Sequence, residues 1–237
     1  MAEVDSIRLK IRPLLSLSSA TDALYAYYAF YHDRERTELY VHEDAEGRGD
    51  GFIAVCQTSH RLFQPTVVLR TSNADVAVDL LHEGLAPGRP YYLITTPDLR
   101  DAAQEVVDLP EPRVNRVFEI DLSRFEYTIN VLVVAEQGIE DRPRFVIRAH
   151  EDVVAEAGVA WLSPHFAAVY VQSTPAAEER GFGRSVLATC TRWVVRSGRR
   201  AITIIDADEA WSSALAEAVG YVDTGARELA GDIVCPL

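Results

Sequence analysis

Apolar and polar positions along this chain fall into one order of elements that occurs twice. Residues 18–32 (SSATDALYAYYAFYH) place Leu24, Tyr27, Tyr28 and Tyr31 at helical spacing behind a cap at Ser19 or Thr21, which predicts a helix with a core-packing aromatic face. Three β-like runs follow at 37–42, 51–57 and 65–70, set apart by the turn-rich stretches 43–50 and 58–64. A helix capped by Ser72 or Asn73 is predicted to run to Gly84, then a strand over 90–95 and a short helix over 97–108. Pro110 and Pro112 break the chain before the next apolar run, VFEIDL.

The second half starts again. Strands are predicted at 127–134 and 144–149, and a hairpin joins 153–162 to 166–173 through Ser163, Pro164 and His165. A long helix spans 181–198 with Val186, Leu187, Cys190, Trp193 and Val194 on one face. A strand at 200–206, a helix at 209–219 and one or two closing strands complete it. Apart from the helix at 18–32 in one half and the strand at 127–134 in the other, both halves read strand, strand, strand, helix, strand, helix, strand. The expectation is a structural repeat joined near 110–125, with domains at 1–120 and 121–237. So long a period signals duplicated domains and not a solenoid.

Composition narrows the function. Over 237 residues, 48% hydrophobic and 25% charged positions describe a folded globular chain. No apolar run reaches the ~18 residues of a membrane span, and the charged start MAEVDSIRLK lacks a signal-peptide core, so a cytoplasmic protein without membrane contact is expected. The net charge of −13, spread over both halves, argues against nucleic acid as a partner and favours cationic amines. Cys56, Cys190 and Cys235 stand far apart and read as buried thiols, with neither disulfide nor zinc spacing. His32-Asp33 and His42-Glu43-Asp44 lack a third ligand and read as solvated loop charge, so no metal is expected.

The stretch 171–190, VQSTPAAEERGFGRSVLATC, carries the most chemistry. A strand enters a loop with Arg180, Gly181 and Gly183, and that loop opens directly into the long helix. Helix N-terminal amides suit an anion, glycines let a phosphate approach the backbone, and Arg180 and Arg184 add positive charge.

From Val153 to Thr224 the sequence resembles the GCN5-related N-acetyltransferase (GNAT) superfamily. The resemblance rests on the strand FAAVYVQSTP, the loop Glu178-Glu179-Arg180-Gly181-Phe182-Gly183, the strand RAITIID, and a helix ending in Val219-Gly220-Tyr221. With AGVAWLSPHF before the loop, it is similar to the tandem subgroup that includes glycine N-acyltransferases. It covers residues 128–230 closely and residues 1–120 by element order. The resemblance implies an α/β (α+β) fold of two GNAT-like modules, each a mixed, mostly antiparallel twisted sheet flanked by helices. The first module is expected to be degenerate, because its equivalent turn TSNADVAVDLL has Asp75 and Asp79 in place of glycines and arginine.

The resemblance further implies that Val171, Gln172 and Ser173 pair with the pantetheine of acetyl-CoA or another acyl-CoA. Arg180, Gly181, Phe182, Gly183, Arg184 and Ser185 would surround the pyrophosphate, and Ser212 would lie near pantetheine. Ala216 stands where many members have an acidic tyrosine, and Ala167 where the tandem subgroup often has a carboxylate. Glu156, His165 and Tyr170 are then the candidates for proton transfer. The expected function is an N-acyltransferase acting on a primary amine, in a small molecule or a peptide. The alternative is a non-catalytic regulatory protein that binds CoA or another ligand on the same fold.

Overall fold

The computed structural model describes residues 2–59 and 61–236, the first three of them by backbone alone. His60, in the turn expected over 58–64, and Leu237, at the end of the expected closing strands, lie outside the described residues. The chain separates into two compact units. One holds the chain up to Asn115 together with the segment from Arg227; the other is Arg116–Ala226.

The first half contains α1 (Ala2–Ile11) and α2 (Ala23–Ala26), the latter continuing through a π-turn to Tyr31. Then come β1 (Thr37–Glu43), β2 (Gly49–Cys56), β3 (Thr66–Thr71), α3 (Ala74–Gly84), β4 (Pro90–Thr95) and α4 (Arg100–Val106). The second half runs β5 (Arg113–Ile120), β6 (Val134–Gln137), β7 (Pro143–Ala149), β8 (Asp152–Leu162), β9 (Phe166–Ser173) and α5 (Pro175–Glu178). It closes with α6 (Phe182–Arg196), β10 (Arg200–Asp206), α7 (Ala210–Val219) and β11 (Tyr221–Val234).

Within each unit the pairings repeat. β1/β2 and β2/β3 are antiparallel and β3/β4 parallel; β7/β8 and β8/β9 are antiparallel and β9/β10 parallel. The helix after the third strand is α3 in one unit and α6 in the other. The α/β expectation therefore holds: each unit is a mixed, mostly antiparallel sheet flanked by helices.

In each unit the strand beyond the parallel pair comes from a distant part of the chain. In the first unit, Leu229–Val234 of β11 lies antiparallel to β4, with Leu229 opposite Thr95 and Val234 opposite Pro90. In the second, β5 lies next to β10. The boundary expected at 120/121 thus differs from the observed units, because the apolar positions of β11 (Leu229, Ile233) are buried with the first unit's core residues Leu93, Leu81 and Val106.

One element is unforeseen and two local expectations change. The helix α1 carries no clear apolar periodicity, and nothing in its spacing marks it as helical. The helix expected over 18–32 is broken into a 3₁₀ turn, a single α-turn and a π-turn, closed by the His32 N–H donating to the Tyr27 carbonyl at 2.8 Å. The strand expected over 127–134 is irregular as far as Val133. There Phe125, Val131 and Val133 turn inward onto the core while Ile129 and Leu132 stay exposed, so alternating burial occurs without a ladder.

The second unit's core packs Val186, Leu187, Cys190 and Val194 of α6, with Ala216 and Val219 of α7, on Ala167, Val169 and Ala157 of the sheet. Tyr221 is buried there, and its phenol lies 2.8 Å from the Thr191 hydroxyl. Burial raises the Cys190 thiol far above its usual range, which makes it a core residue and not a nucleophile. Among the described residues no helix is long and apolar enough to cross a membrane, and no group of three or more His, Cys, Asp or Glu could hold a metal ion.

Candidate functional site

Parallel strands β9 and β10 pair at only three positions, Phe166/Arg200, Ala167/Ala201 and Ala168/Ile202. Both strands continue beyond that ladder, so they part. On its other side β9 remains paired with β8 as far as Ser173. The edge of β9 at Val171, Gln172 and Ser173 is therefore open, and its backbone groups can take an extended ligand as a further strand would. A cleft of about 400 Å³ opens there, lined by these three residues, by Glu178 of α5, and by Glu209, Ala210, Trp211 and Ser212 at the start of α7.

The α6 N-terminus supplies the next part of the site. Gly181 caps the helix in the left-handed region (φ 69°, ψ 22°) and turns the chain from α5 into α6. The first-turn amides of Phe182, Gly183 and Arg184 have no carbonyl within the helix to reach, which is the condition for anion binding. The Phe182 ring is buried, with the Arg180 guanidinium 4.5 Å from its centroid. Arg184 pairs with Glu126 at 3.1 Å.

Ser185 differs from expectation. Its hydroxyl donates to Asn130 Oδ1 at 2.8 Å and accepts the Asn130 N–H at 3.3 Å, while Asn130 Nδ2 donates to the Arg180 carbonyl at 3.0 Å. Ser185 is 2% exposed and serves to anchor the irregular segment over the loop. Sequence reasoning missed Asn130 because its partners lie fifty or more positions away and its own stretch reads as a strand. It also missed Glu209 and Trp211. Glu209 Oε2 accepts the Ser212 hydroxyl at 2.9 Å, a pairing signalled only by their three-residue spacing at a helix start.

Gly183 has a packing role. A Cβ built there would stand 3.2 Å from both Trp211 and Leu215 of α7. Its lack of a side chain lets α6 and α7 approach closely beside the cleft. Gly183→Val should therefore destabilise the second unit by about 1–3 kcal/mol through overpacking, in addition to any effect on ligand. Chemical denaturation of both proteins measures this directly, and an unchanged midpoint would contradict the close approach.

The three proton-transfer candidates separate in space. His165 sits in the β8–β9 turn, at the start of β9, seven residues or about 23 Å along an extended strand from Gln172. Glu156 lies opposite Gln172, and Tyr170 two residues back on the same face. Arg144 Nε donates to Glu156 Oε2 at 2.9 Å, and burial together with the Glu156 charge raises the Tyr170 phenol. Glu156, Gln172 and Ser173 also line a second cavity of about 230 Å³. Ala167 and Ala216 are 0% and 1% exposed, inside the core, and offer no polar group.

No protein-family model matches the sequence, and comparison with curated proteins gives no match. Solved structures do match. A protein from Drosophila superposes with a TM-score of 0.66 at 13% identity, covering 100% of this chain and 96% of that one. A GCN5-related N-acetyltransferase from Kribbella flavida gives 0.60 at 12% identity, with 94% and 97% covered. A tandem GNAT protein from the clavulanic acid biosynthesis pathway gives 0.55 at 12% identity, with 97% and 94% covered. Likeness at these identities is a likeness of backbone: the chain has the fold of the GNAT acetyltransferases, and shares it with a tandem GNAT protein over nearly its whole length.

Proposed function

We propose that the second unit binds an acyl-CoA in the β9–α7 cleft and transfers its acyl group to a primary amine. The observation that carries this reading is the parting of β9 and β10, which leaves the Val171–Ser173 edge open beside the N-terminus of α6. The edge fits the amide-bearing pantetheine arm, and the amides of Phe182, Gly183 and Arg184 with the exposed Arg180 fit the pyrophosphate. Ser185 is assigned to holding the loop through Asn130. Glu178 and Glu209 place negative charge on the cleft wall, which favours a cationic acceptor over an anionic one.

In acyl transfer the amine nitrogen bonds to the thioester carbonyl carbon and loses a proton, while the C–S bond breaks and CoA leaves as a thiolate that takes up a proton from solvent. Glu156 shares a sheet face with Gln172 and is assigned to accept that proton, directly or through water. Arg144 holds its carboxylate in place, and proximity on the strand edge supplies much of the remaining acceleration. A second reading, ligand binding without turnover, is favoured by the apolar burial of Ala167 and Ala216.

Calorimetric titration with acetyl-CoA and with CoA tests the site, and an amine panel tests turnover. One-to-one binding at micromolar affinity with acetyl transfer is the expected result. Glu156→Gln should leave CoA affinity unchanged and lower kcat by on the order of 10²-fold. Binding with no transfer to any amine would select the second reading, and absence of binding would remove both.

A further inference from the structure

The first unit repeats the strand-parting geometry with different chemistry. β3 and β4 pair at three positions, ending at Val68/Ile94, and then separate. A cavity of about 220 Å³ lies at their ends, with Arg70, Thr71, Thr96, Asp98 and Asp50 on its wall. Nothing here suits an anion. The helix that follows is capped by Asn73 and carries Asp75 in its first turn. Arg70 is committed to Asp22 at 3.2 Å and lies over the Tyr25 ring, 5.1 Å from its centroid.

In the same unit three oxygens are buried without a hydrogen-bond partner: Thr96 Oγ1, on a residue that lines this cavity, together with Tyr25 Oη and Glu228 Oε2. They belong to one neighbourhood. The register that sets Leu229 opposite Thr95 brings Glu228, one step on, beside Thr96. The Tyr25 phenol feels the charges of Glu228, Arg70, Asp22 and Asp98 together. Tyr25 and Glu228 are 1% and 2% exposed. A carboxylate oxygen buried with no donor is unfavourable, and the two hydroxyl oxygens can accept as well as donate, so the group suits a donor-rich cation.

We propose that this cavity of the first unit is a binding site for a small primary ammonium ion, held by the Glu228 carboxylate and the hydroxyl oxygens of Tyr25 and Thr96. A primary ammonium presents three N–H donors and one positive charge, which matches one unpaired carboxylate oxygen and two hydroxyl oxygens able to accept. The alkyl end would extend past Arg70 and Asp98 to the cavity mouth. The site does not rest on the acyl-CoA reading of the second unit.

The test is calorimetric titration of the full chain at pH 8 with n-propylammonium chloride, and with tetramethylammonium chloride as a cation that has no N–H donor. Propylammonium should bind with one-to-one stoichiometry and raise the unfolding temperature, and tetramethylammonium should do neither. Glu228→Gln should weaken propylammonium binding at least tenfold, and Thr96→Val severalfold. Equal response to the two cations, undiminished binding by Glu228→Gln, or no saturable binding at all would overturn the proposal and leave buried water as the partner of these oxygens.

Discussion

Gly220→Ala is expected to cost about 3–5 kcal/mol and to lower the thermal midpoint by on the order of 10 °C. Gly220 ends α7 at φ 110°, where L-residues are strained. A Cβ at this position would stand 2.7 Å from the Arg124 carbonyl oxygen, 2.8 Å from its carbon and 2.9 Å from the Phe125 Cα. These are backbone atoms, so no side-chain rotation relieves the clash. The Gly220 carbonyl also accepts the Asp121 N–H at 3.0 Å, which ties the same two segments together. Gly198 is the internal control: its φ is 78°, but nothing lies within 4 Å of a built Cβ. Gly198→Ala should show the conformational strain alone, about 1–2 kcal/mol. Equal losses in the two variants, measured by denaturant unfolding, would show that the close approach contributes nothing.

The second large effect is a pH dependence carried by Glu228. Burial raises its carboxyl from the ordinary 4.5 to about 7. The folded chain then holds this proton more tightly than the unfolded chain. The associated stability is fully present below about 4.5 and is lost as pH rises through about 7. A shift of this size corresponds to about 3 kcal/mol between pH 4.5 and pH 8. Other carboxylates titrate at the acid end, so the informative quantity is the difference between wild type and Glu228→Gln. The variant should match wild type near pH 5 and exceed it by up to about 3 kcal/mol at pH 8. Parallel stability profiles from pH 5 to 8 would mean that the carboxylate is solvated or paired in the folded protein.

These two positions also show how unevenly the fold was written along the chain. Gly220 was visible in advance as part of the Val219-Gly220-Tyr221 step, because the turn it makes is local. Glu228 was invisible, since nothing in RELAGD distinguishes a buried acid from a solvated one until β11 is seen to pair with β4. The site divides the same way. Val171–Ser173 and the α6 N-terminus are contiguous features and were legible. Ser185 was read as a phosphate ligand because its partner Asn130 is remote in sequence and lies in a stretch whose apolar alternation imitates a strand. Gly183 was read only as a phosphate-side glycine, and its second role, making room for Trp211 and Leu215, came from helix packing that no local pattern shows.

By itself the sequence determined the element order, its repetition, the hairpin through Ser163–His165 and the glycine turn into α6. Each of these depends on periodicity or turn chemistry within about twenty residues. Tertiary structure alone decided which distant strand lies beyond each parallel pair, where β9 and β10 part, and which polar groups of the first unit are left without partners. Strand exchange and splaying depend on which distant apolar faces bury best against each other, and a one-dimensional pattern sets the faces without setting their partners.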